Sequence, residues 1–511
     1  MNKPENQGGG LSRRNLWAYP AGTIGRDMAF CMFNNYLLTY VLFTKTLTAA
    51  QFAAISAIMV AARIFDAFND PIMGNIIEAT RTRWGKFKPW IAIGCALSVL
   101  VFVTSFSTTL QGWAYVAAFG VLYFAYSITY TMNDIAYWGM VPSLARRADD
   151  RNRLTSRTVL FAGVGQFLGG IVIPTFTAGS LVIGGNAVTA YRVVVLLVCA
   201  LFAGTQLVTL LLVREPARGR EPPAEKVSLK KTVSVIARND QLVWCAVIFL
   251  IFSVAQTLMG AGLSVTYLYF EFGYNGLLLS IFSILGNLAA AVLMIVFARL
   301  SDKFSRARLV RLGVVMSAAG YMCILVSGLV IPSGLWAFKF AMLTVSNLFA
   351  MLGQTLVYLI LIICIANTIE YNEWKTGRRE EGIIFSVRPF ITKFSGALVQ
   401  LMVLVIYMAV GVRNVTNRIS DLENAASQGA ITAAEKASQI EGVLAGVPGG
   451  QSAALLVCMT LIPAALLLAA YAIYRKKYTI TEEAYETMLR EIAARRKDAP
   501  GRPEENGEEP A

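Results

Sequence analysis

Apolar runs of membrane-spanning length recur along the whole chain and constrain it more than any other feature. They lie near 17–43, 51–77, 89–109, 112–141, 158–183, 190–213, 241–270, 276–300, 310–332, 335–368, 383–412 and 452–474. A hydrocarbon layer about 30 Å thick takes roughly 20 helical residues to cross. Within it every backbone N–H and C=O needs an internal partner, so such runs form helices. Of the 511 residues, 56% are hydrophobic and only 15% charged, against about 25% charged in soluble domains. The chain therefore reads as an all-α polytopic membrane protein of twelve transmembrane helices.

The placement of charge supplies the topology. The 45 Lys and Arg against 31 Asp and Glu leave a net +14. The excess sits in short loops, not on a basic face with interleaved aromatics, so nucleic acid is not a partner. Arg81, Arg83, Lys86 and Lys88 follow the second run, and Arg146, Arg147, Arg151 and Arg153 the fourth. Lys226, Lys230, Lys231 and Arg238 lie in the central loop. Lys303, Arg306, Arg308 and Arg311 follow the eighth run, and Lys375, Arg378 and Arg379 the tenth. The alternate loops near 107–111, 184–189 and 332–334 carry no charge. Basic loops stay on the cytoplasmic side, so both termini are expected there, in a multi-pass protein of the cell membrane.

The central loop, 214–240, divides the chain into an N-terminal half, 1–213, and a C-terminal half, 241–474, followed by a tail, 475–511. A faint repeat agrees: GNIIEATRTRWGKFKP after the second run and ARLSDKFSRARLVR after the eighth place Glu78 and Asp302 alike, each before basic residues and a turn. Related halves around a central cavity are a common transporter plan. The segment 413–450 reads as a long polar outside loop. The tail begins as an amphipathic helix and ends in PGRPEENGEEPA, a composition that does not fold alone. The polar start, MNKPENQGGGLSRR, lacks a signal peptide's cleavage region.

The seven cysteines all fall in apolar runs and histidine is absent. This pattern suits small buried hydrophobes, not a disulfide framework, and it rules out a histidine triad or a histidine metal site.

The informative residues are charges where lipid should be. The second run holds Arg63, Asp66 and Asp70. Each charge at mid-membrane costs roughly 2.5–3.5 kcal/mol on the insertion scale, more than the apolar residues of that run return. The helix therefore needs partners or a wet cavity. Asp66 and Asp70, four apart, project from one face. Two acceptor-only carboxylates suit a hard cation such as Na⁺, or a proton, since neighbouring acids raise one another's affinity for it. Alternatively Arg63 neutralises an acid and the trio only locks helices together.

Other runs add to this set. In GTIGRDMAF of the first run Arg26 and Asp27 are adjacent, so they are expected to point in different directions. In the fourth, Thr131, Asp134 and Trp138 share a face at spacings of three and four. A carboxylate beside an indole suits a sugar: the acid accepts hydroxyl hydrogen bonds and the ring stacks on the C–H face. A lone Trp otherwise serves packing or interface anchoring. Arg157 opens the fifth run, a place where a flank residue is also expected. In the eleventh, Arg388 and Lys393 are five apart and serve different surroundings, with Lys393 a candidate partner for the acids of the second helix. Lys339 and Arg192 lie near run ends and are expected to reach outward to the interface.

These residues resemble a known family. ARIFDAFNDPIMGNIIEATRTRWGKFKPW (62–90), YTMNDIAYWGMVP (130–142) and EYNEWKTGRREEGIIFS (370–386) look like the glycoside–pentoside–hexuronide:cation symporters of the major facilitator superfamily. The likeness runs from the first helix to the eleventh and is weaker in the C-terminal half. It implies that Asp66 and Asp70, with Thr131, bind the coupling cation and would be its metal ligands if that cation is Na⁺. It implies that Arg26, Asp27, Asp134, Trp138 and Arg157 line the sugar site, and that Lys393 lies near the cation site. Arg388 departs from the Gln common in sugar-transporting members. Its guanidinium could pair with the carboxylate of a uronide or with a protein acid.

The resemblance implies secondary active symport of a sugar or glycoside with Na⁺ or H⁺, by alternating access, in a lipid bilayer, as a monomer and without a cofactor. Relatives that move lysophospholipids offer a second cargo. The retention of Asp27, Asp134 and Trp138 favours sugar. An enzyme is not expected, because histidine and a catalytic module are both missing, and a non-transporting sensor would need a larger signalling domain than the tail.

Overall fold

The structure, a computed structural model, describes residues 11–145, 147–214 and 229–497. The polar N-terminal stretch, Arg146, most of the central loop and the acidic end of the tail lie outside them. Seventeen α-helices follow in order: α1 Arg13–Thr44, α2 Ala49–Ala79, α3 Lys88–Ser107, α4 Gly112–Leu144, α5 Ala148–Thr177, α6 Ala187–Leu212, α7 Leu229–Arg238, α8 Asp240–Leu258 and α9 Ser264–Phe272. They continue as α10 Gly276–Lys303, α11 Arg306–Val330, α12 Trp336–Thr376, α13 Glu381–Val410, α14 Val412–Ser427, α15 Ala433–Ala445, α16 Gly449–Lys477 and α17 Glu482–Lys497.

Among the described residues eleven helical spans are long and apolar enough to cross a membrane, with α8 and α9 counted as one. The twelfth span is α1. Its GTIGRDMAF segment and paired Asn34 and Asn35 dilute its apolar character, yet it is buried through most of its length because it sits between α5 and α6. Its polar side chains thus meet protein instead of lipid, where they would be expensive.

The twelve spans group as two sixes. In one, α1 packs on α5 and α6, α3 on α4 and α6, and α2 on α4. In the other, α8 packs on α12, α13 and α16, and α11 on α12 and α16. Glu78 and Asp302 each stand one residue before the end of their helix, α2 and α10, the equivalence that the repeat predicts. The basic loops follow the second, fourth, sixth, eighth and tenth spans, so they share one end of the bundle with both termini. The uncharged loops mark the other, neutral end.

The halves meet at the neutral end. The backbone of Gly276, at the start of α10, donates to Ala178 O at 3.3 Å, and Thr175 and Ser280 hydroxyls pair at 2.9 Å. Only glycine fits here: a Cβ on Gly276 would come 1.7 Å from Pro174 O. Phe43 of α1 packs edge-on against Tyr269 of α9. The seventh span is broken between α8 and α9 by a wide π turn, Met259–Leu263, in which Gly262 takes φ +105°, a conformation that suits a residue without Cβ. The break lies against Leu38 of α1 and Tyr407 of α13.

The segment 413–450 is not the irregular loop expected. It folds as α14 and α15, a helical cap that belongs to the C-terminal half yet grips the N-terminal one. Asn417 exchanges two hydrogen bonds with Leu47, accepting from its N–H at 3.1 Å and donating to its carbonyl at 2.8 Å. Arg413 donates to the same carbonyl at 3.2 Å, Thr46 to Asp421 at 2.6 Å, and Asn424 to Thr44 O at 2.9 Å. Glu423, fully buried, accepts from the Ala187 N–H at 2.6 Å and from Lys436 at 3.0 and 3.1 Å. It thereby satisfies a free N–H at the start of α6 and complements that helix's dipole. The polar composition that reads as a loop is what a helix needs when one face must hydrogen-bond a neighbouring chain end.

The central loop carries α7, Leu229–Arg238. One other expectation is corrected. Lys339 does not reach outward; it is buried and paired with Glu271. The tail helix is as expected: α17 lies on α12, with Trp374 Nε1 donating to Glu491 at 2.6 Å.

Candidate functional site

Two charge clusters lie inside the bundle. The first is built on α1 and α4. Arg26 is 1% exposed. Its Nε and one terminal nitrogen lie 3.1 and 2.9 Å from Asp27 Oδ2, and the other is 3.3 Å from Asp134 Oδ1. The expectation that Arg26 and Asp27 diverge is therefore wrong. Adjacent residues leave a helix about 100° apart, but the long Arg side chain folds back over the shorter acid. The guanidinium also sits 4.7 Å from the Tyr137 ring centroid and 5.3 Å from that of Trp138. The spacing of Asp134 and Trp138 thus has the expected effect.

One guanidinium between two carboxylates leaves an excess negative charge. The Asp134 side chain is 42% exposed and that of Asp27 14%, and each keeps an oxygen outside the ion pairs. These are acceptors beside an indole. Arg157 stands apart from this pair. It lies well inside α5 instead of opening it, stacks 4.5 Å over Trp17, and keeps a buried terminal nitrogen with no hydrogen-bond partner among the described residues.

The second cluster centres on α2. Asp66 accepts a short hydrogen bond from the Ser127 hydroxyl and lies 3.9 Å from Arg63. Arg63 in turn donates to Asn34 Oδ1 at 2.6 Å. Asp70 accepts from Thr131 at 3.3 Å and forms an ion pair with Lys393. The sequence reading finds Asp66, Asp70, Thr131, Arg63 and Lys393 together. Lys393, the candidate partner for these acids, pairs with Asp70 across the interface of the halves, from α13.

Ser127, Asn34, Tyr126 and Tyr137 were missed. Ser127 had a signal: it stands one helical turn before Thr131, on the face that already carries Thr131 and Asp134. Among the described residues no three His, Cys, Asp or Glu groups come together as a metal cluster. The hydroxyl oxygens beside the two carboxylates are those of Ser127 and Thr131.

Arg388 is not brought to either cluster. Its guanidinium donates to the Tyr358 hydroxyl at 2.6 Å and lies 5.8 Å from that ring. Arg388 and Lys393 do face different surroundings, as five-residue spacing requires.

The family model described as MFS/sugar transport protein matches residues 18–482. The chain is 28% identical to the raffinose carrier protein of Pediococcus pentosaceus, over 93% of this chain and 70% of that one. It is also 28% identical to the lactose permease of Lactobacillus delbrueckii subsp. bulgaricus, over 93% and 72%, and 24% identical to the glucuronide carrier protein homolog of Escherichia coli, over 76% and 82%. Solved structures share the fold at low identity. A bacterial homologue of the human drug peptide transporters PepT1 and PepT2 aligns at TM-score 0.61 and 13% identity, over 94% of this chain and 99% of that one. A D-xylose-proton symporter aligns at 0.54 and 13%, over 86% and 98%. With the two six-helix groups and the clustered intramembrane charges, these matches make the chain a transporter and not an enzyme, a member of the MFS/sugar transport protein family and of its glycoside–pentoside–hexuronide symporter branch.

Proposed function

We propose that the protein couples entry of a sugar or glycoside to that of Na⁺ or H⁺ across the cell membrane, as a monomer, with both termini in the cytoplasm. The observation that carries this reading is the ion pair between Asp70 and Lys393. It places a base of the C-terminal half on an acid that would bind the coupling ion, so occupancy of the ion site and the relation of the halves are linked.

In this reading the cap and the α5–α10 contact close the external side, and the conformation is inward-open. In the outward-open state, a cation settles against Asp66, Asp70, Ser127 and Thr131. Lys393 is then free of Asp70. The sugar binds Asp27 and Asp134, with Trp138 against its C–H face. The halves rock, and both ligands leave inward. Each ligand raises the other's affinity by the same factor.

Uptake into proteoliposomes, with Na⁺ or H⁺ gradients imposed across a panel of glycosides, tests this reading. Accumulation driven by one gradient is expected. Equal uptake of every sugar with and without either gradient would refute coupling.

A further inference from the structure

At the neutral end the C-terminal half lines an open cavity of about 540 Å³. Its walls come from α9, α11 and the turn after it, α12, α15, α16 and the turn joining α15 to α16. None of these helices contributes to the Arg26 or Asp66 clusters, so the cavity is separate from the site described above.

Three polar groups with unspent hydrogen-bonding capacity converge there. Tyr267 and Glu271, four apart on α9, share a face. The Tyr267 hydroxyl is buried and has no partner among the described residues. Glu271 uses one oxygen, Oε1, which accepts from Lys339 and, at 2.9 Å, from Ser333. Its Oε2 makes no bond among the described residues. Lys339, 3% exposed, spends one of its three protons on Glu271. Leaving a buried phenol unpaired is unfavourable, and a ligand that bonds it relieves this. Gly328 keeps the room open: a Cβ there would lie 2.8 Å from the Tyr267 hydroxyl.

The donor set selects a ligand. The charges of Glu271 and Lys339 cancel, so an ion of either sign would enter uncompensated. A carboxylate oxygen beside an ammonium matches two adjacent hydroxyls, one donating to Oε2 and the other accepting from Nζ. Phe270 and Leu456 supply an apolar wall, and the volume falls within the range of small-molecule sites, about 300–1,000 Å³. We propose that this cavity is a second binding site, for an uncharged vicinal-diol ligand such as a free sugar, held wholly by the C-terminal half. It does not depend on cation coupling.

Ala445 lines the cavity and is exposed, so Ala445→Cys reports on it. The rate of maleimide labelling of this variant is measured in the purified full-length protein, with the native cysteines' background taken from the parent chain. Raffinose and lactose at about 10 mM are expected to slow labelling by about tenfold, as binding near about 1 mM requires. Glu271→Gln and Tyr267→Phe, each in the reporter background, should abolish the slowing. The second removes only a hydroxyl and keeps the test informative if the first fails to fold. Asp134→Asn should leave the slowing intact even where it ends transport. Labelling that neither sugar slows overturns the proposal. So does slowing that vanishes in Asp134→Asn but survives in Glu271→Gln, which would report a conformational change from the central cluster. Slowing by phosphatidylglycerol alone would assign the cavity to a lipid headgroup and overturn it as well.

Discussion

The two intramembrane charge clusters differ in who supplies them. The Arg26 cluster belongs to one half: α1 gives Arg26 and Asp27, and α4 gives Asp134, Tyr137 and Trp138. The Asp66–Asp70 cluster straddles the interface, because Lys393 comes from α13. The first has two acids for one base and keeps acceptors to spare. The second balances two acids with two bases. A cluster confined to one half moves with it as a unit and can hold a ligand through a conformational change. A cluster shared between halves changes composition when they move, and so can sense an ion.

The largest effect expected from this difference is on coupling. Asp66→Asn with Asp70→Asn should end gradient-driven uptake and erase the linkage between ion and sugar binding, about 5–150-fold in typical coupled systems. Sugar binding at the Arg26 cluster should survive. Cation-stimulated transport by the double variant would break the assignment. Joining the halves is the next test. Thr46→Cys with Asp421→Cys, at a site where the native side chains are 2.6 Å apart, should form a disulfide that stops uptake until a reductant is added. Sugar binding measured on the oxidised protein should persist, since its cluster lies in one half.

Two stability measurements sharpen the contrast. Arg26→Gln leaves Asp27 and Asp134 facing each other without a base, and removal of one member of a buried ion pair costs about 3–5 kcal/mol. Lys393→Gln should cost less, about 1–3 kcal/mol, because the Asp70 side chain is 32% exposed and keeps its bond to Thr131. Thermal unfolding in detergent reads both, and a larger loss for Lys393→Gln would reverse the ranking. The smallest effect is expected from Ser127→Ala. The loss of one hydrogen bond to Asp66, about 0.5–1.5 kcal/mol net, should weaken apparent ion affinity by roughly two- to tenfold, with sugar affinity measured without the ion unchanged.

Much of this was legible in the chain. Apolar run length gave the spans, and the i, i+4 placement of Asp66 and Asp70 put both acids on one face. What failed did so for local reasons. The Cα–Cβ bonds of Arg26 and Asp27 do diverge, but a side chain as long as Arg can turn back. The segment of α14 and α15 is too polar for a span and so reads as a loop, although Thr432 and Glu435 form a capping box visible in the sequence. Lys339 lies near a run end, which suggests the interface, but its partner, Glu271, is 68 residues away.

The sequence by itself determined the membrane class, the number of spans, the end of the bundle that carries basic loops and the acids that must find partners. Those follow from composition and period, since the free energy of each residue in lipid depends chiefly on its own side chain and its place along a helix. Only the tertiary structure decided which base meets which acid, that Lys393 crosses the interface to Asp70, and that a helical cap from one half holds the other at the neutral end. Pairings of that kind depend on helices far apart in the chain, and no local pattern encodes the distance between them.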